Sequence, residues 1–175
     1  MIRRRKSTRL FSNQPISKDK IERVLEAARW APSAKNRQLW RYMVLASASD
    51  VQKVSTLLES KDLSVQETAW TIRTAGALIL VGRALGSRDE DRLTDYLSIG
   101  ASVENMLLAA TEIGLSSLWI CDILAIKDEI KSQFRFSHEL VAAVCLGYKD
   151  NYDNEKARKS LSEIIDYRET DNDNF

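Results

Sequence analysis

Arg5, Ser7 and Arg9 alternate along Arg3-Arg4-Arg5-Lys6-Ser7-Thr8-Arg9. Alternate residues of an extended segment share one side. Two guanidinium forks with a hydroxyl between them suit a phosphate, because bidentate charge-assisted bonds match its oxygens. Disordered arms and nucleic-acid contacts have the same composition. A second constellation is Ala31-Pro32-Ser33-Ala34-Lys35-Asn36-Arg37-Gln38, where Pro32, Ser33, Asn36 and Gln38 set polar groups on a turn. A third is Ser117-Leu118-Trp119-Ile120-Cys121-Asp122 at a strand end, which reads equally as a core strand with a buried Trp and a structural Cys. The fourth, Lys156-Ala157-Arg158-Lys159, is by default a solvated charge run.

Other chemistries lack their residues. The glycines at 76, 82, 86, 100, 114 and 147 match neither G-x-G-x-x-G nor a phosphate-binding P-loop. His138 is the single histidine, and Cys121 and Cys145 form no zinc spacing and no Cys-x-x-Cys. A metal site is therefore not expected. Net charge is +1, but residues 1–41 carry twelve Lys or Arg against three Asp or Glu. That polarity points the N-terminal segment at an anion, or at the acidic remainder of the fold.

These groups need a frame. A chain of 175 residues, 44% hydrophobic with two prolines, reads as one globular domain. No apolar run reaches the roughly 20 residues of a spanning helix. No apolar stretch follows the basic start as a secretory signal requires, and unpaired cysteines fit a reducing compartment, so a cytoplasmic location is expected.

Ser17 caps a helix whose stripe is Ile21, Val24, Leu25 and Ala28, stapled by Ile16 and Ile21 and ended before Pro32. Arg41 to Ala46 reads as a strand. Ser49 is expected to cap a second helix carrying Val51, Val54, Leu57 and Leu58. Residues 60–70 are ambiguous. Ala77 to Gly82 reads as a central strand. Arg92 to Ile113 is a long helix, apolar on most faces and hence buried on more than one side, with Gly114 closing it. Strands at Ser117 to Cys121 and Leu140 to Leu146 flank a helix at Ala125 to Phe134. Element order alone leaves α/β and α+β open. A helix-turn-helix is disfavoured, because Pro32 and a strand follow the first helix.

Together the motifs resemble the FMN-dependent nitroreductase family. Arg5-Lys6-Ser7-Thr8-Arg9 is similar to its R-x-S-x-R/K opening. Ala31-Pro32-Ser33-Ala34-Lys35-Asn36-Arg37-Gln38-Leu39-Trp40 is similar to its A-P-S-x-x-N-x-Q-P-W signature, with Leu39 in place of proline. The helix Asp95 to Gly114, and Leu146-Gly147-Tyr148 followed by Lys156 and Arg158, match its central helix and closing strand. The resemblance covers about residues 2 to 165, with 60 to 92 matching poorly.

The resemblance implies an α+β, three-layer fold with a mainly antiparallel sheet. It implies a single domain over residues 1–175, whose tail from about 148 reaches over a partner. The long helix would lie at a homodimer interface holding two FMN sites. Arg5, Lys6 and Ser7 would meet the phosphate end of FMN, with Lys156 and Arg158. Arg9 would reach the flavin N1/O2 edge, where a cation stabilises reduced flavin. Pro32, Ser33, Ala34 and Asn36 would come from the partner subunit. Trp119, Ile120, Cys121 and Asp122 would line the other ring face. Flavin N5 would do the chemistry, with no certain catalytic side chain. NADH or NADPH would be the transient donor, and a nitroaromatic, quinone or enone the acceptor. A non-catalytic FMN store or sensor of the same fold is the alternative. Cys121-Asp122 stands where many relatives have glycine or Glu-Gly. A carboxylate there disfavours anionic reduced flavin unless it points away.

Overall fold

A computed structural model describes residues 1–12, 14–86, 88–149 and 157–168. The first helix, α1 (Lys18–Arg29), buries Ile21, Val24 and Ala28. The Ser17 hydroxyl accepts the amide of Lys20, and the staple residues Ile16 and Ile21 are both buried. Strand β1 (Trp40–Leu45) leads into α2 (Ala48–Glu59). Here the expected cap is corrected. Ser47, not Ser49, accepts the Asp50 amide at 3.1 Å. A capping oxygen must precede the helix, and Ser49 already lies in its first turn. The ambiguous stretch resolves into a short 3₁₀ turn and α3 (Gln66–Thr74).

Strand β2 (Ala77–Arg83) is buried at every residue, as a central strand must be. Helix α4 (Arg92–Glu112) runs about 30 Å. Gly114 adopts φ +76° just beyond it, and the Leu115 amide reaches back to the Ala110 carbonyl at 2.8 Å. That backward bond needs a left-handed residue, which glycine adopts without a Cβ clash. Strand β3 (Ser116–Ile120), α5 (Lys127–Phe134) and β4 (Glu139–Gly147) complete the domain. A 3₁₀ turn over Asp122–Ile126 precedes α5, so that helix starts later than Ala125.

The four strands form one sheet in the order β1-β2-β4-β3, with every pair antiparallel. Alternation along β2 divides the core. Leu78 and Leu80 face the layer that holds Val54, Leu58, Ile72 and Ile130 of α2, α3 and α5. Ala77, Ile79 and Val81 face Val24, Val103 and Met106 of α1 and α4. The architecture is α+β in three layers. α4 buries Ile99, Val103, Met106 and Ala110, while Leu93 and Leu97 on its far side stay 69% and 66% exposed.

Candidate functional site

The N-terminal segment reaches the sheet through its backbone. Ser7 bridges Ser117 in parallel, and the Thr8 amide donates to the Ser117 carbonyl at 3.0 Å. Thr8 points inward and is buried, so Arg5, Ser7 and Arg9 share the outer side. Further along, Thr71 Oγ1 donates to the Arg9 carbonyl at 3.0 Å, and the Phe11 amide donates to Thr74 Oγ1 at 3.2 Å. Phe11 then seals the segment against Gly147, whose absent side chain leaves room for the ring. The row of cations is thus held along the β3 edge.

Trp119 lies two residues beyond Ser117 on the same side of β3 and is 40% exposed. It packs on α4 near Gly100, where an added Cβ would sit 3.6 Å from the indole. Ile120 is buried, while Cys121 and Asp122 are exposed at the strand end. The Asp122 carboxylate accepts the Thr68 hydroxyl of α3. Arg5 pairs with Glu104 at 3.6 Å, and Arg9 pairs with Glu67 at 3.5 Å. The structure therefore brings Arg5, Ser7 and Arg9 together with Trp119, Cys121 and Asp122.

Lys6 faces the other way. It lines a cavity of about 190 Å³ with Arg4, Thr8, Thr111 and Lys149. Arg158 is exposed on the tail, and Lys156 lies outside the described residues. A larger cavity of about 480 Å³ opens between Tyr96, Leu124, Lys131 and His138, and none of the expected site residues lines it. Among the described residues, no group of three or more His, Cys, Asp or Glu could hold a metal. No helix among them is long and apolar enough to cross a membrane.

The Pro32–Asn36 loop is not part of the same cluster. It precedes β1, while the cationic row lies beside β3 at the opposite edge of the sheet. Three interstrand spacings separate those edges, about 14 Å. α4 also intervenes. The Ala34 amide donates to Ser98 Oγ at 3.4 Å, whereas Trp119 packs by Gly100. Residues two apart on a helix point about 200° apart. The loop itself holds Lys35, Asn36 and Gln38 at φ 53°, 53° and 50°. Left-handed non-glycine residues cost about 1–2 kcal/mol each and need support. Ser33 Oγ accepts the Gln38 amide at 3.0 Å. Arg37 anchors the loop to α4, 2.8 Å from Asp95 and 3.3 Å from Asp91.

Asp95 also holds Arg83 at 2.9 Å, and both residues are almost fully buried. Glu139 accepts from Arg83 at 3.0 Å, from the Tyr96 hydroxyl at 2.6 Å, and from Arg92. Burial pushes the Glu139 carboxyl up, but the bonds from Tyr96, Arg92 and Arg83 outweigh it and leave it below the ordinary range. Sequence reading missed this cluster and missed α3's Glu67, Thr68 and Thr71. The available signal was a helical face: Glu67, Thr68 and Thr71 fall within one turn.

The sequence model of the Nitroreductase family matches residues 2–148. A protein of Archaeoglobus fulgidus, assigned as an NADH dehydrogenase/NAD(P)H nitroreductase, is 31% identical over 120 residues. That match spans 69% of this chain and 64% of the relative, under two thirds of its length. A crystal structure from Desulfovibrio desulfuricans, assigned as a nitroreductase in complex with FMN, superposes with a TM-score of 0.81. It is 26% identical, covering 97% of this chain and 95% of that one. A nitroreductase with bound FMN from Bacteroides fragilis shares the fold at a TM-score of 0.77, with 22% identity and 96% of each chain covered. The motif order, the antiparallel three-layer fold and a family match running from residue 2 to residue 148 agree, and this chain belongs to the nitroreductase family.

Proposed function

We propose that this chain is an FMN-dependent oxidoreductase. It draws electrons from NADH or NADPH and delivers them to a small acceptor such as a nitroaromatic, quinone or enone. The observation that carries the reading is the Arg5, Ser7 and Arg9 row, pinned by the Thr8–Ser117 bond beside the open Trp119–Asp122 strand end.

The donor set fits FMN. Guanidinium forks and a hydroxyl match a phosphate monoester. A half-exposed indole offers an apolar wall to a flat ring. When bound, FMN supplies the hydride transfer between nicotinamide and acceptor. The chain's residues bind and tune. Arg5 and Ser7 hold the phosphate end, with Arg158 and the tail lysine Lys156 adding positive charge; Lys6, on the opposite side of the segment, is not part of this contact. Arg9 provides a cation for the negative charge gained on reduction. Trp119, Ile120, Cys121 and Asp122 line the ring. The Asp122 carboxylate is turned toward Thr68 of α3.

The working form is a homodimer with a site at each interface. Pro32, Ser33, Ala34 and Asn36 of one protomer complete the row of the other. The separation of these two halves on opposite sheet edges supports this, as does the exposed Leu93 and Leu97 face of α4. The described part of the tail, residues 157–168, reaches over the partner. Leu161 and Ile164, 70% and 62% exposed, supply apolar contacts for it.

The test is the visible spectrum of the purified protein, with identification of the chromophore released by heat. A flavin spectrum, released FMN, bleaching by NADH or NADPH without oxygen, and parallel double-reciprocal plots are expected. Light scattering should give twice the 19.9 kDa chain mass. A chain that takes up no FMN at micromolar concentrations would overturn the proposal. Flavin that neither nicotinamide reduces would make the protein an FMN store or sensor instead.

A further inference from the structure

Neighbouring residues of α3 reach both parts of the candidate flavin surface. Glu67 Oε1 stands 3.5 Å from Arg9 Nε. Next to it, the Thr68 hydroxyl donates to the Asp122 carboxylate. The backbone of Arg9 is fixed separately, since Thr71, 1% exposed, donates to its carbonyl. The guanidinium is not fixed by that bond. Its side chain is 47% exposed, and Glu67 is the carboxylate beside it. Glu67, itself 79% exposed, is thus placed to influence where Arg9 aims its charge and how much of that charge is offset.

We propose that Glu67 is a positioning residue for Arg9: it orients the guanidinium along the site and offsets its charge, so that bound FMN is harder to reduce than Arg9 alone would make it. The proposal rests on the reading of Arg5, Ser7 and Arg9 as the flavin-binding row. The physical case has two parts. A cation beside the flavin favours the reduced, more negative form, and a carboxylate on that cation cancels part of the effect. An exposed ion pair adds little to folding stability. Its influence on charge grows once a ligand excludes water, because the local dielectric falls. Glu67 can thus be removed without unfolding the chain while its electrostatic effect stays measurable.

Three FMN-loaded variants, E67Q, E67D and R9A/E67Q, are compared with the parent and with R9A, at saturating FMN. The readouts are the midpoint potential of bound FMN against a reference dye, FMN affinity from quenching of flavin fluorescence, and the melting temperature of each apoprotein. E67Q should shift the potential to more positive values, with E67D staying near the parent and the melting temperature unchanged. In the R9A background, E67Q should produce a clearly smaller shift, because the carboxylate's own field on the flavin persists while its hold on Arg9 is gone. An E67Q potential equal to the parent's overturns the proposal. So does the same positive shift in the R9A background, which would mean that Glu67 acts on the flavin directly. Should R9A hold no FMN, E67D decides: a potential matching E67Q rather than the parent overturns the proposal. A parent that binds no FMN overturns the flavin-site reading beneath it, whereas normal binding with an unmoved potential overturns the role of Glu67 alone.

Discussion

The Thr8 amide and the Ser117 carbonyl meet at 3.0 Å, and this bond sets the basic segment beside β3 as a short parallel edge. One backbone contact thereby does two things. It covers part of an edge strand, which would otherwise offer unpaired backbone groups. It also brings Arg5 and Arg9 alongside Trp119, although more than a hundred residues separate them in the chain.

The segment's far anchor is Phe11 on Gly147. An added Cβ at Gly147 would lie 2.6 Å from Phe11 Cδ1, so Gly147→Ala must displace the ring. The expected loss is about 1–3 kcal/mol in urea unfolding, typical of overpacking. FMN affinity should fall with it, because the row loses its anchor. Unchanged stability would mean that Phe11 moves aside freely and anchors nothing.

Arg9→Ala should weaken FMN binding about tenfold or more, the usual scale for a hydrogen bond to a charged group. Fluorescence titration of the apoprotein measures it directly. Equal affinity, together with unaltered flavin reduction by NAD(P)H, would remove Arg9 from the site.

Arg83 and Asp95 are 4% and 3% exposed and 2.9 Å apart. Asp95→Ala leaves buried Arg83 with Glu139 and the Arg88 carbonyl and leaves Arg37 with Asp91 and Thr94, and breaking a buried pair costs about 3–5 kcal/mol, an upper figure here. Glu139 gives the same cluster a pH signature. Its folded pKa lies below the ordinary value, so its contribution is complete above the unfolded pKa and disappears as pH falls through the folded one. The melting temperature should therefore drop as pH falls below about 4.3. Glu139→Gln should be less stable at neutral pH and flatter in acid. Parallel melting curves for parent and variant across that range would disprove the assignment.

The two cysteines should react unequally. Cys121 is exposed, while Cys145 is buried and its thiol is pushed up by burial. Only a thiolate attacks an alkylating reagent. Mass spectrometry after iodoacetamide should find native label on Cys121 alone, with Cys145 labelled only after denaturation. Slower labelling of Cys121 once FMN is added would place that residue beside the cofactor, and labelling of Cys145 in the native state would contradict the packing described.

The elements most legible in the sequence were those governed by local rules. Ser17, Ile16 and Ile21 marked the start of α1 through capping and staple spacing. The apolar run at Ala77 identified a central strand, and Gly114 marked the end of α4. Ser47 and Ser49 are equally good caps by type, so only the actual end of β1 could choose between them. Residues 60–70 were ambiguous because α3 is short and mixes polar with apolar residues. Its site contacts come from Glu67, Thr68 and Thr71, ordinary surface types on any helix.

The sequence by itself determined the alternation of Arg5, Ser7 and Arg9, the turn chemistry around Ser33 and Asn36, and the helix and strand periods. Hydrogen bonds and side-chain spacing within a few residues suffice for these. Only the tertiary structure decided that the row docks on β3, that Asp122 turns to Thr68, that Arg37 clamps its loop to Asp95, and that this loop stands at the far edge of the sheet from the row. Strand order and layer packing are set by which apolar faces bury one another across the whole chain, and no local window contains that information.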